Sequence, residues 1–389
     1  MSDAARVADA VLEWSRAQNY CGYNKHDGLN SALLRTLAGW GRWPRLFAIQ
    51  VVMRSPINLR GVLGIEKTCN PKGLALFSQG LMDRYRATGD AAYLSEAEVL
   101  LERLVGIRPP GNWSGRCWGY PYPWQDAAFF ADSGTPNAVV TCFVCEAFLD
   151  AYRLTGKHQW LDVVGETMGF FGHDLTVLKD SETELCLAYM PLPMRMRVMD
   201  VSILIGAVIA KYAACAEDAR LASMAERLVR YVVRRQTDYH AWFYTDPAGD
   251  SHVKHDNYHT GFILDALWRY MQVSGDWHWQ KRYRSGLAFY AEHFFEPSGA
   301  PRWRHNRSYP RDIHGAAQGI LTFSRHQDEY PDLAARICAW SIANLYNTAG
   351  YFYYRRNRLY RNKLVLMRWC NAWMARALSH FVYRCGQAG

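Results

Sequence analysis

Lysine is scarce in this 389-residue chain: there are 9, against 36 arginines, so the formal charge of +9 is carried almost wholly by guanidinium groups. The basic residues are dispersed and form no nucleic-acid-binding motif, so no nucleic-acid partner is expected. The first twenty residues lack a basic n-region followed by an apolar core, so no secretory leader is expected. The longest apolar stretch, Val201 to Ala216, is interrupted by Lys211 and falls short of a membrane span, so no transmembrane segment is expected. The ten cysteines have no framework spacing, which predicts reduced thiols in a cytoplasmic protein. Cys142 and Cys145 form the one close pair, inside an apolar run, and read as core filling. There is no phosphate-binding glycine loop, no dinucleotide fingerprint and no nucleophile elbow, and His and Cys lack matched ligand spacing. No cofactor and no metal are therefore expected. With 50% apolar and 21% charged residues, long disorder is also excluded.

What is abundant is aromatic: 15 Trp, 24 Tyr and 16 Phe. Strand signals are sparse, whereas helical periodicity recurs. Phe262, Ile263, Ala266, Leu267, Tyr270 and Met271 make one face of a helix. The runs Ala138–Leu149 and Val201–Ala216 are apolar nearly all round, as buried helices are. After such runs come glycine turns at Gly89, Gly156 and Gly275, each followed by a more charged, amphipathic stretch. Asn70, Asn137, Asp200, Asp256, Asp312 and Asn362 precede the apolar helices at steps of 67, 63, 56, 56 and 50 residues. Repetition of this size predicts stacked helical pairs. The last helix, placed at Lys363–Tyr383, is as apolar as the others, so it is expected to be covered by a helix near Ala4–Ala17. The expected fold is all-α, an (α/α)6 toroid of about six hairpins, read as one domain over residues 1–389.

Helix N-termini present unpaired N–H groups and suit anionic ligands. In a ring of hairpins those of the inner helices converge, and the long linkers feeding them hold the unusual residues. The linker Gly111–Asp126 gathers Trp118, Trp124, Arg116, Gln125 and Asp126. Aromatic rings stack on sugar C–H faces, and the polar groups suit hydroxyls or a carboxylate. The segment His255–Gly261 carries Asp256, Tyr258 and His259, and the segment Tyr309–Gln318 carries Arg311, Asp312, His314 and Gln318. Asp256 and Asp312 also suit helix capping. Tyr23 and Asp27 in the loop Gly22–Gly28, with Lys72 and Lys363 near two other helix starts, complete the candidates.

Several strings resemble known proteins. They are Ile57-Asn-Leu-Arg60, Gly64-Ile-Glu-Lys-Thr-Cys-Asn-Pro-Lys72, Trp118-Gly-Tyr-Pro-Tyr-Pro-Trp-Gln-Asp126, Asp256-Asn-Tyr-His-Thr-Gly-Phe262 and Asp312-Ile-His-Gly-Ala-Ala-Gln318. They resemble an uncharacterised bacterial group encoded with exopolysaccharide and lipopolysaccharide genes. More distantly, the chain is similar to (α/α)6-toroid carbohydrate-active proteins: unsaturated glucuronyl hydrolases, polysaccharide lyases and N-acylglucosamine 2-epimerases. The hydrolases use Asp at inner-helix mouths, and the epimerases use paired His. The resemblance implies a saccharide substrate, anionic in the sense of a uronic acid. Three activities follow as expectations. The first is hydrolysis or β-elimination by Asp126 and Asp256, assisted by Asp312, His314 and His259. The second is epimerisation by His259 with His314 or Tyr258. The third is glycan binding without turnover, as a subunit of a polysaccharide assembly complex. In the first, Trp118 and Trp124 would stack on the sugar and Arg116 would hold its carboxylate, and Tyr23, Gln125, Tyr258, Gln318 and Lys363 complete the substrate-binding candidates. The sequence leaves the oligomeric state open.

Overall fold

A computed structural model describes residues 3–127 and 129–387. Fourteen α-helices and only short strands occur among them. By internal contacts the chain divides into two compact units. One takes Met1–Pro110, Trp118–Thr135 and Tyr309–Gly389, and the other takes Gly111–Cys117 and Pro136–Ser308.

The first unit holds α1 (Asp3–Ala17), α2 (Ala32–Ala38), α3 (Arg42–Arg54), α4 (Pro71–Thr88) and α5 (Ala91–Gly106). The second holds α6 (Ala138–Thr155), α7 (His158–Gly169), α8 (Met199–Ala216), α9 (Ala219–Val233), α10 (Asn257–Ser274) and α11 (Gln280–Phe294). The first unit resumes with α12 (Ile313–Phe323), α13 (Leu333–Leu345) and α14 (Trp373–Gln387).

In the first unit α4 pairs with α5 and α12 with α13, and α14 packs on α4, α12 and α1. The helix expected at Ala4–Ala17 thus covers the last one. Asn70 caps α4 by accepting from the Lys72 N–H, with Pro71 at the first helical position. Asp83, buried in α4, pairs with Arg376 and with His380 of α14 at 3.0 Å, and with Arg86 at 3.0 Å. Burial alone would raise the Asp83 pKa. The facing Arg376 and His380 outweigh it and hold the carboxyl far below its ordinary range. Burial pushes the His380 imidazole down to about 4, against the pull of Asp83.

In the second unit α6 packs on α8 and α8 on α10, with α7, α9 and α11 as their amphipathic partners. Helix α8 is 18 residues long and apolar enough to cross a membrane by composition, but 78% of it is buried inside the unit. Gly206 lets α9 approach: a Cβ there would lie 2.9 Å from Val229 and 3.1 Å from the Ala225 carbonyl. The one cation in that helix, Lys211, is neutralised by Glu146 at 3.0 Å and Asp150 at 2.6 Å, both on α6. The turn glycines Gly89, Gly156 and Gly275 all take the left-handed conformation after their helices, as the sequence predicts.

Three expectations are corrected, and one pair of helices is added. Asp200 does not cap α8: Val198 holds the cap position, and Asp200 lies one residue inside the helix. No helix starts at Lys363. Arg361–Asn362 pairs as a strand with Arg355–Arg356, the Asn362 side chain accepts from the Leu364 N–H, and a π-turn over Met367–Ala372 leads into α14. The cysteines are not all reduced, since Cys21 and Cys69 form a disulfide. Finally, α2 and α3 fill a stretch to which no helix was assigned.

Candidate functional site

In the second unit the site is built on the first turn of α10. Asp256 is its cap, and Oδ1 accepts from the His259 N–H at 3.2 Å. The same carboxylate faces the His259 ring, with Nδ1 at 2.9 and 2.8 Å from its two oxygens. A carboxylate can only accept here, so Nδ1 carries the proton and the lone pair of the neutral ring lies on Nε2. One Asp therefore fixes both the helix end and the tautomer. Tyr258 and Tyr244 lie against the imidazole, with ring centroids at 4.2 and 4.6 Å, and Phe262 follows at 6.0 Å. The His259 side chain keeps 20% of its surface open to solvent, and Asp256 keeps 6%. A hollow of about 10 Å³, room for one water, is lined by Asp200, Tyr244, Lys254, Asp256 and His259.

The neighbouring His255 has a different environment. Its Nδ1 faces the Trp242 carbonyl at 2.7 Å and its Nε2 the Tyr239 hydroxyl at 3.0 Å. Phe243 stacks on it at 4.5 Å, and burial pushes its pKa down. His255 thus braces the loop. Arg116, in the same unit, is ion-paired with Glu166 of α7, which fastens the loop around Gly115 to that helix. Its expected role toward a substrate carboxylate would require it to leave that partner.

In the first unit Asp312 caps α12 through the His314 N–H at 2.9 Å and accepts from the Trp369 indole at 2.8 Å. Its second oxygen is buried with no hydrogen-bond partner. Burial raises the Asp312 pKa, while Lys25 pulls it down. Lys25 stands over the Trp369 ring, 3.6 Å from its centroid. His314 is wedged between Trp369 and Trp373 at 4.5 and 4.4 Å. Gln318, one turn on, is buried and donates to Thr322. Lys72 is buried too, 5.2 Å from the Trp373 ring. Lys25 and Trp369 belong to this cluster and escaped the sequence reading. Lys25 stood in a loop noted only for Tyr23 and Asp27, and Trp369 sat in what read as uniform helix.

The linker residues form a third group, also in the first unit. Trp124–Gln125 and Phe130–Ala131 pair as a short hairpin. Gln125 is buried, and its amide donates to the carbonyls of Asp126 and Phe129. Asp126 is half-buried at the turn, with its own N–H bonded to Phe129. It therefore stands on a hairpin and not at a helix mouth. Trp124 stacks on His26 at 5.7 Å. Trp118 offers no face to a ligand: it is wholly buried, and its indole donates to the Leu104 carbonyl. Tyr23 lies beneath the Arg60 guanidinium at 5.9 Å, and Arg60 is buried on Asp27 at 2.8 Å. Lys363 is exposed.

The structure thus brings Asp256, Tyr258 and His259 together, then Asp312 and His314, then Trp124, Gln125 and Asp126. Among the described residues no three His, Cys, Asp or Glu side chains converge as a metal site would require.

No protein-family profile and no curated protein matches the sequence. Solved structures do. A sugar epimerase from a ruminal bacterium superposes with a TM-score of 0.64 at 12% identity, over 82% of this chain and 90% of that one. Cellobiose 2-epimerase from Bacillus thermoamylovorans gives 0.62 at 12%, over 81% and 88%. A glycosyl hydrolase of family 88 from Bacteroides vulgatus gives 0.56 at 11%, over 82% and 93%. These are (α/α)6-toroid enzymes, and the chain has that fold. At such identities the likeness establishes fold alone, because one fold hosts many chemistries.

Proposed function

We propose that the protein is a carbohydrate-active enzyme that moves a proton on a sugar carbon, as an epimerase or isomerase does. The observation carrying this reading is the Asp256 carboxylate on Nδ1 of His259. A carboxylate so placed makes the imidazole more basic and stabilises the imidazolium formed when Nε2 takes a proton. His259 would remove the proton beside a sugar carbonyl, and Tyr258 would return one. The aromatic faces of Tyr244 and Tyr258 suit the apolar side of a sugar ring. Two of the three structural neighbours named above bear epimerase names, which agrees with this choice. The whole chain, residues 1–389, would act as one toroid domain. Its setting would be bacterial exopolysaccharide or lipopolysaccharide metabolism, with an anionic saccharide as substrate.

A second reading, cleavage of a uronic-acid-containing glycan, is favoured by Asp312. A buried carboxyl with a raised pKa is the kind that holds a proton to donate. In that reading Asp256, already engaged twice by His259, would have to leave it to act as acid or base.

Incubation with reducing sugars and uronic-acid oligosaccharides in heavy water separates the readings. Deuterium entering a carbon without chain shortening supports proton transfer, provided His259→Gln abolishes it. Shortened products that persist in His259→Gln and vanish in Asp312→Asn would overturn it for cleavage. Saturable binding with neither product would overturn it for a glycan-binding subunit.

A further inference from the structure

Six of the large apolar side chains exposed among the described residues lie on α2, α3 and the turn between them, in the first unit. Leu33 and Leu37 are four apart on α2, and Trp43, Phe47 and Val51 are four apart on α3, so each set makes one stripe. With Trp40 in the turn, these six side chains are between 42% and 88% exposed. The opposite face is well anchored: Ala38, Ala48 and Ile49 pack on Leu29, with Trp124 and Phe130 beside them. The hairpin is therefore folded, and its outer face is uncovered. Ordinary monomers rarely expose so contiguous a patch.

The charge along this stretch of chain is one-sided. No Asp or Glu occurs between Asp27 and Glu66, while Arg35, Arg42, Arg45, Arg54 and Arg60 do. Arg60 is spent on Asp27 inside the unit. Arg35, Arg42 and Arg54 are exposed, and Arg42 lies over the Trp43 ring at 4.7 Å. A rim of Arg around Trp, Phe and Leu matches anionic headgroups above an acyl layer, where aromatic side chains settle readily. A second copy fits less well. A two-fold contact would press this patch on itself, and the patch holds no acidic residue to neutralise the facing arginines.

We propose that α2 and α3 dock the protein on the surface of an anionic phospholipid membrane, lying in the headgroup layer without crossing it. The proposal is independent of the proton-transfer reading, since it uses none of that site's residues.

Co-sedimentation of the full chain with vesicles tests it. Vesicles of phosphatidylglycerol and phosphatidylcholine in equal amounts should bind at least about tenfold more protein than phosphatidylcholine alone. The variant Trp40→Ser/Trp43→Ser/Phe47→Ser should lose this binding by about tenfold or more while keeping its circular dichroism. Arg35→Glu/Arg42→Glu/Arg54→Glu should lose the preference for anionic vesicles and serves as a second probe should the first variant misfold. Equal binding to both vesicle types, no binding to either, or unchanged binding by both variants would overturn the proposal. So would a dimer in sedimentation equilibrium that both variants abolish, which would assign the patch to a second copy.

Discussion

An aspartate–histidine pair lies in each unit among the described residues, and the local contacts of the two are nearly the same. Asp256 holds Nδ1 of His259 at 2.8 Å, and Asp83 holds Nδ1 of His380 at 3.0 Å. Their surroundings differ. His259 sits on the first turn of a helix with part of its ring open, among tyrosines. His380 sits inside, its carboxylate is shared with Arg376, and its Nε2 is buried without a partner. On the proposed reading, the same pairing makes an oriented base of the part-exposed His259 and a structural tie of the buried His380. A histidine beside an aspartate therefore says little until the fate of its second nitrogen is known.

The comparison can be broken most directly through catalysis. Asp256→Asn and His259→Gln should each lower turnover roughly a hundred- to ten-thousandfold, with the thermal midpoint nearly unchanged. Proton–deuterium exchange into the sugar measures this, and a large loss of stability with full activity would reverse the two roles. Next in size is the interior pair. Asp83→Leu strands the Arg376 charge and should destabilise the fold by about 3–5 kcal/mol in denaturant titration. Its specific activity at low temperature should survive.

The third test uses pH. An unfolded histidine takes its proton near pH 6.5, whereas His380 does so at about 4. Between these values the unfolded chain binds more protons. Stability is therefore full above about 6.5 and falls as pH drops toward about 4, by up to about 3 kcal/mol. His380→Gln should flatten that acid limb relative to the parent, and parallel limbs would sink the idea. The smallest effect concerns Asp312, the cap of α12. Its pKa is raised by burial, so ionising it costs native stability as pH rises past its unfolded value. Asp312→Asn keeps an oxygen for the cap and the Trp369 indole. It should gain on the parent over the interval that begins at about pH 4, where the unfolded carboxyl ionises. A relative loss over that interval would show that Lys25 needs the charge.

The helical pairs were legible because their signals are local. An Asn or Asp before an apolar run and a Gly after it mark both ends, and α4, α6, α10 and α12 start where those residues predict. Where a cap residue has another use, the signal misleads: Asn362 serves a strand and a turn, and α14 begins later. The hairpin of α2 and α3 was missed because its apolar residues cover both faces, which blurs the helical period. The site was half legible. Residue type and helix position flagged Asp256 and His259, but the sequence could not say that Asp256 is engaged by its own neighbour. Trp118 shows the opposite failure. An aromatic in a glycine- and proline-rich linker looks like a binding platform, and only tertiary packing reveals that it is buried.

The disulfide has a consequence for how the exposed hairpin is attached. Cys21 follows α1 and Cys69 precedes α4, so the 48-residue separation between them encloses all of α2 and α3. In a chain-entropy treatment, closing a loop of that length disfavours the unfolded chain by about 4 kcal/mol. The enclosed segment is then a side loop on a covalent ring, bypassed by the sulfur bridge. A protease that cuts once within it leaves a nicked but undivided molecule, which migrates as a single species until a reductant releases the N-terminal fragment.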